Sequence, residues 1–273
     1  MGPSITLGNG LTVPRLGYGT FRLRGQDAYD GVRTALDVGY RHLDTAQAYD
    51  NEVEVGRAVV DSGVARDELF LTTKLRPSNA AAVDVRGSTE QSLRDLGVDQ
   101  VELLLLHWPA EQHAPLAETL AAMTALVEDG LVRAIGVSNF PSAMLRQAYE
   151  LAPIVTDQVE HHPFLAVDAI EDVLAEHGGF VTAYSPLARG QVAEDLTLQE
   201  IGEAHGVSAS QVTLRWMLQK PATVAIPKSG TPERIRRNFD VFEFELTDDE
   251  MGRIRALARG HRLVDPAHGP AWD

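Results

Sequence analysis

Eight short apolar runs, alternating with longer stretches of helical periodicity, predict a closed (β/α)8 barrel for this chain. Two further observations point the same way. The length of 273 residues is close to the ~250 residues such a barrel occupies. Seven successive apolar runs also hand over to a polar residue at their end, and a barrel carries its chemistry at the C-terminal ends of its strands. An open doubly wound sheet is the alternative use of the same units. No linker, low-complexity segment or longer repeat divides the sequence, so a single domain over 1–273 is expected.

The chain opens on a small hairpin over Ser4–Val13, in which ITL and LTV flank the turn signal Gly8-Asn9-Gly10. In a barrel this hairpin is placed to plug the bottom. The apolar runs are Arg15–Tyr18, His42–Asp44, Leu69–Lys74, Val101–His107, Val132–Val137, Ile154–Gln158, Phe180–Tyr184 and Thr223–Ile226. The helical stretches are Asp27–Val38, Glu52–Asp61, Val83–Asp95, Leu116–Glu128, Ser142–Leu151, Ala169–His177 and a longer region, Leu196–Gln219. Ser208 with Gln211, and Thr247 with Glu250, have the spacing of capping boxes. Thr231-Pro232-Glu233 reads as a cap followed by proline at the first helical position. Extra helices are therefore expected after the barrel proper.

Composition excludes several classes of function. The formal net charge of -15 disfavours nucleic acid and anionic membrane surfaces as partners. There is no cysteine, which removes disulfides and thiolate metal sites. No apolar run reaches the ~18 residues of a membrane span. The N-terminus MGPSITLGNG has no basic region or apolar signal core, so a cytoplasmic location is expected. Only three lysines occur, Lys74, Lys220 and Lys228, against a background of arginine. A lysine kept in that background suggests a need for a compact ammonium with a movable pKa.

The polar residues at the strand ends are Asp44, Lys74, His107, Ser138-Asn139, Gln158, Tyr184-Ser185 and, just past the last run, Lys228-Ser229. Singly each has an ordinary reading: a helix cap, a solvated strand end, a structural histidine. On one rim they make a site. Asp44 would hold the Lys74 ammonium. That ammonium beside Tyr49 would lower the phenol from its usual pKa of about 10, making it a general acid near neutral pH. His107 would donate to the same substrate oxygen. Such a set suits carbonyl reduction with hydride from a cofactor. Ser138, Asn139 and Gln158 suit a carboxamide, and Tyr184 offers a ring face. Lys228 and Ser229 precede a helix start followed by Arg234, Arg236 and Arg237, which together suggest a phosphate site. Arg236 is expected to be only solvated. No metal is expected. Glu160-His161-His162 is a poor ligand set, because adjacent strand residues point opposite ways. Gly17-Tyr18-Gly19 lacks the third glycine of a Rossmann fingerprint.

Over nearly its whole length the sequence resembles the aldo-keto reductase superfamily, and within it the bacterial 2,5-diketo-D-gluconate reductase type. The motifs are LGYGTF at 16–21, GYRHLDTAQAYDNEVEVGRAV at 39–59, LTTKL at 71–75, LLLLHWP at 103–109, IGVSNF at 135–140, DQVEHHP at 157–163, AYSPL at 183–187 and IPKSGTPERIRRN at 226–238. The resemblance implies a catalytic tetrad of Asp44, Tyr49, Lys74 and His107, with Tyr49 the proton donor. It implies a nicotinamide site of Ser138, Asn139 and Gln158 beneath a stacking Tyr184. Gly19, Thr20, Ser185 and Leu187 belong to the same cofactor set. Lys228, Ser229, Arg234 and Asn238 match the site of the adenosine 2′-phosphate and adenine, so NADPH is the expected cofactor. The expected substrate is a small aldehyde, ketone or dicarbonyl, and the expected state is a monomer.

Departures from the family pattern mark the rest. Arg237 stands where many relatives carry Glu, and Asp157 replaces a usual Asn but points away from the lumen by strand alternation. Phe21 and Trp108, with Tyr49 and His107, are the expected pocket walls. Arg76 either faces acidic substrates there or points to solvent. Short loops and a short tail imply an open pocket with broad selectivity. An NADPH-binding regulatory subunit on the same fold is the alternative function.

Overall fold

The computed structural model describes residues 2–267 and 269–273. The N-terminal hairpin pairs β1 (Ser4–Thr6) antiparallel to β2 (Thr12–Pro14). Its turn closes through Leu7 N to Leu11 O at 2.9 Å, and the Asn9 side chain accepts from Leu11 N at 3.0 Å. Eight parallel strands follow in order: β3 (Tyr18–Gly19), β4 (His42–Asp44), β5 (Phe70–Leu75), β6 (Val101–Leu106), β7 (Val132–Ser138), β8 (Ile154–Glu160), β9 (Phe180–Tyr184) and β10 (Thr223–Ala225). Each pairs with the next in sequence. The barrel closes where Gly17 N donates to Ala225 O and Ala225 N to Arg15 O, both at 2.8 Å. Gly19 N reaches Pro227 O at 3.1 Å in the same seam. A Cβ on Gly19 would lie 3.0 Å from Ile226 O, so glycine lets these two backbones approach.

The helices are α1 (Gly25–Val38), α2 (Glu52–Ser62), α3 (Ala82–Leu96), α4 (Leu116–Glu128), α5 (Ser142–Leu151), α6 (Asp168–Glu176), α7 (Leu196–His205), α8 (Ala209–Gln219), α9 (Pro232–Phe239) and α10 (Asp248–Arg255). The long region expected over Leu196–Gln219 is two helices. It breaks at Gly206, in a left-handed conformation at φ 69°, and restarts at the Ser208–Gln211 capping box, whose reciprocal bonds are both present. The Thr247–Glu250 box is likewise complete. Thr231 is the N-cap of α9, but its hydroxyl makes no capping bond. Instead Thr231 N donates to Ser229 Oγ at 3.1 Å. The first barrel strand is shorter than the apolar run Arg15–Tyr18, because Leu16 makes only a single bridge to Ala225.

Strand alternation sorts the side chains into an inner and an outer core. Along β6, Leu103 and Leu105 point into the barrel, where they meet Phe70, Ala134, Phe180 and Val224. Leu104 and Leu106 point outward against the helices. Leu7, Leu11 and Val13 of the hairpin fill the lower end of the inner core. Above this apolar floor lies a layer with His42, Thr72, Thr156 and Thr182, linked by His42 Nε2 to Thr72 Oγ1 and by Thr156 Oγ1 to Thr182 Oγ1, each at 3.1 Å. The same inward phase then continues to the strand ends. No described helix is long and apolar enough to cross a membrane.

Candidate active site

Carrying the inward phase two residues past each middle-layer position brings Asp44, Lys74, Gln158 and Tyr184 to one rim, with Ser138 closing β7. His107 lies one residue beyond β6 rather than inside it. Its backbone N–H still donates to Leu75 O at 3.1 Å, which keeps the inward direction.

Lys74 is fully buried, and Asp44 is 2% exposed. The Lys74 ammonium donates to Asp44 Oδ1 at 2.5 Å, to Thr45 O at 2.8 Å and to the Tyr49 hydroxyl at 3.3 Å. The second Asp44 oxygen accepts from Gln158 Nε2 at 2.7 Å. Burial pulls the Lys74 pKa down, and the charge and hydrogen bond of Asp44 oppose that pull. The Tyr49 ring lies between Phe21, at 5.1 Å between centroids, and His107, at 5.5 Å.

The expectation that Lys74 lowers the tyrosine pKa is not met in this structure. The Tyr49 phenol is held well above its usual value, first by burial and then by the Asp44 charge. The Lys74 ammonium, 3.3 Å from the hydroxyl, does not reverse this direction. The tyrosine is thus kept protonated, the state a proton donor needs. His107 is held neutral, its pKa lowered to about 3 by burial, then by Lys74 and Arg76. Its Nδ1 is buried without a hydrogen-bond partner among the described residues.

These groups open onto a cleft of about 1020 Å³ along the strand ends. Phe21, Tyr49, His107 and Trp108 line one end, and Lys228, Arg234 and Asn238 line the other. Ser138, Asn139, Gln158 and Tyr184 lie between, and Gly19, Ser185, Leu187 and Ser229 also border the cleft. A chain of bonds runs through the middle. Tyr184 donates to Asn139 Oδ1 at 2.8 Å, and Asn139 Nδ2 donates to Ser138 Oγ and to His107 O at 3.0 Å each. Ser138 Oγ donates to Gln158 O at 2.7 Å. The amide groups read from the sequence as ligand contacts therefore also fix the segment carrying His107. Asn139 adopts φ 65° to do so. At the far end, Tyr18 donates to Ser229 O at 2.6 Å and ties the loop before α9 to the barrel.

Three assignments need correction. Thr20 is fully buried, does not line the cleft, and spends its hydroxyl on Asp44 O at 3.0 Å, steadying the end of β4. Arg76 is not among the lining residues either; its guanidinium is held by Gln47 O and Asp50. The short tail does not leave the mouth bare. Leu263 N and Val264 N bind the buried Glu160, Val264 lines the cleft, and Trp272 packs edge-on to Trp108. Arg22, Arg189 and Gln199 also line the cleft and were not found from the sequence. Arg22 could have been suspected, since it follows Phe21 in the first strand-end loop. Arg237 lines the cleft while paired to Glu233 at 2.8 Å. No group of three or more metal-binding side chains occurs among the described residues.

Comparison with known proteins agrees with this layout. The family model described as the aldo/keto reductase family matches residues 15–259. An aldo-keto reductase of Mycolicibacterium smegmatis is 41% identical over 265 residues, covering 96% of each chain. A crystal structure of a protein provisionally named 2,5-diketo-D-gluconic acid reductase B superposes with a TM-score of 0.96 at 40% identity, covering 100% of this chain and 98% of that one. A Bombyx mori aldo-keto reductase solved in complex with NADP has a TM-score of 0.90 at 32% identity, covering 97% and 95%.

Proposed function

The chain belongs to the aldo/keto reductase family, and from that premise we propose that it reduces small carbonyl compounds to alcohols with NADPH, Tyr49 giving the proton. The carrying observation is the buried Asp44–Lys74 pair with its ammonium 3.3 Å from the Tyr49 hydroxyl, opening onto a cleft of about 1020 Å³.

The residues present fit that cofactor. Amide and hydroxyl groups of Ser138, Asn139 and Gln158 lie beside the tetrad, and Lys228 and Arg234 border the other end of the cleft. Ser138, Asn139 and Gln158 would take the carboxamide, and Tyr184 the ring face. Lys228, Ser229, Arg234 and Asn238 would take the adenosine 2′-phosphate and adenine, with Gly19, Ser185 and Leu187 bordering the cofactor. Burial lowers the Lys228 pKa, the nearby Arg22 lowers it further, and Asp27 opposes this. An anion between the two cations would relieve that repulsion. When bound, the reduced nicotinamide supplies hydride.

The protein side of the reaction is proton supply and orientation. Neutral His107 donates a hydrogen bond to the carbonyl oxygen and sets its direction. Tyr49 passes its proton to that oxygen as charge develops, leaving a phenolate beside the Lys74 ammonium. Asp44, itself bound by Gln158, and the Thr45 carbonyl hold the ammonium in place. Phe21 and Trp108 form apolar walls, so small aldehydes, ketones and dicarbonyls are the substrate class, with keto-sugar acids and methylglyoxal-like compounds within it.

Tyr49→Phe tests this reading directly. NADPH oxidation with a small aldehyde should fall by on the order of 10³-fold, while NADPH binding, followed by fluorescence, stays within about twofold of wild type. Turnover at the wild-type rate would show that the proton comes from elsewhere.

A further inference from the structure

We propose that Arg76 is a positioning residue for proton transfer: it clasps the Tyr49 turn on both sides and sets where the phenol sits. This rests on the reading of Tyr49 as proton donor. Tyr49 ends a three-residue 3-10 turn, Gln47–Tyr49, in which Tyr49 N donates to Ala46 O at 2.9 Å. So short a turn has little stability of its own. The next residue, Asp50, lies in the left-handed region at φ 52°, a conformation that needs support from its surroundings.

The support comes from the segment following Lys74. One Arg76 guanidinium nitrogen donates to Gln47 O at 2.8 Å and to Asp50 Oδ1 at 3.0 Å. These acceptors stand on either side of Tyr49. The Arg76 backbone N–H donates to Gln47 Oε1 at 2.9 Å, and Asn79 Nδ2 reaches the same oxygen at 3.0 Å. Gln47 Nε2 in turn donates to Ser88 O and Ser92 Oγ on α3, at 3.2 Å each. The side chains of Arg76 and Asp50 are 42% and 59% exposed, and an isolated pair so exposed would contribute little. What distinguishes this one is the shared donor on a backbone carbonyl. Arg76 is also two residues from Lys74, so one segment places both the ammonium and the phenol that approach to 3.3 Å. The planar guanidinium can serve both acceptors in a fixed geometry, whereas a lysine ammonium cannot hold them so rigidly. The charge of Arg76 also contributes to keeping His107 neutral.

The test uses Arg76→Met, Arg76→Lys and Asp50→Asn, with methylglyoxal as a neutral substrate and glyoxylate as an acidic one. Displacement of a reacting group by about 1 Å can cost on the order of 10²-fold, so Arg76→Met should lower kcat by roughly 10- to 100-fold for both substrates. KM and the NADPH Kd should stay within about twofold. Arg76→Lys should recover part of the loss, and Asp50→Asn should reproduce part of it. Loss confined to the KM of glyoxylate would make Arg76 a substrate receptor and overturn the proposal, as would an unchanged kcat in Arg76→Met. A crystal structure of Arg76→Met supplies a readout independent of turnover. The Tyr49 hydroxyl should move beyond hydrogen-bond reach of Lys74, and a turn superposable on wild type overturns the proposal whatever the rates. Wild-type protein inactive on both substrates would instead count against the reductase reading, and the structural comparison would still decide the clasp.

Discussion

The state of one phenol organises the chemistry at the residue scale. Tyr49 stays protonated because burial and the Asp44 carboxylate both oppose its ionisation. Carbonyl reduction should therefore show no loss from tyrosine ionisation as the pH rises through neutrality to mildly alkaline values. A reductive kcat that falls with an apparent pKa near 7 would contradict this. At the other end of the cleft, Arg234 is exposed and unburdened by any salt bridge among those described. Charge-assisted hydrogen bonds to phosphate are among the stronger polar contacts. Arg234→Ala should weaken NADPH by on the order of 10-fold or more while changing NADH by about twofold or less, as titration of both cofactors would read. Equal loss for the two would remove the 2′-phosphate from this residue.

The outward face of β8 sets the next question, at the scale of the element. Asp157 points away from the lumen, as alternation requires, and is completely buried. Only the Phe140 N–H approaches one of its oxygens, at 3.5 Å, and the other has no partner among the described residues. Burial raises its pKa well above the usual carboxylate value. The sign follows directly. The native state keeps the proton over a range where the unfolded chain has released it, so stability falls as pH rises through that range. Asp157→Asn removes the ionisable group. It should raise Tm by a few degrees at pH 7 and by less at pH 4. A gain independent of pH would point to packing rather than protonation. Activity should change little, because the residue faces the helices.

Across the whole molecule, the barrel interior is an apolar floor under a polar rim, and the hairpin completes the floor. Leu11 is 3% exposed within that inner core. Leu11→Ala should cost roughly 2–5 kcal/mol in urea unfolding, with the rate per folded molecule unchanged, since the site is at the other end of the strands. A cost below about 1 kcal/mol would mean the hairpin lies loosely against the barrel. Acid sensitivity is also a property of the whole. His107 and His161 are both held near about 3 by burial, against an ordinary 6.5, and burial lowers His42 as well. For such groups the unfolded state binds more protons in that interval. Their stabilisation is present above pH 6.5 and is lost progressively as pH falls towards about 3. Thermal scans of Asp157→Asn, which lacks the opposing Asp157 carboxyl, should show Tm falling from pH 7 to pH 4.

The alternation of apolar runs and helical stretches determined the strand number and order, because a residue's type biases its own local conformation. The pattern of polar run ends likewise marks Asp44, Lys74, His107 and Gln158 as residues of one rim. What the linear order could not contain was direction and company. Leu103–Leu106 are four identical apolar residues, and only the barrel decides that Leu103 and Leu105 face inward and so aims His107 at the cleft. The direction of the Tyr49 pKa is likewise not legible along the chain, because it is set by burial and by the nearby Asp44 charge, both properties of the folded barrel. Along the chain Arg76 reads as facing either acidic substrates or solvent, because its partners, Gln47 and Asp50, lie 29 and 26 residues away in sequence. Local propensity is written along the chain, whereas electrostatic balance and hydrogen-bond partnership depend on separations in space that only the closed barrel sets.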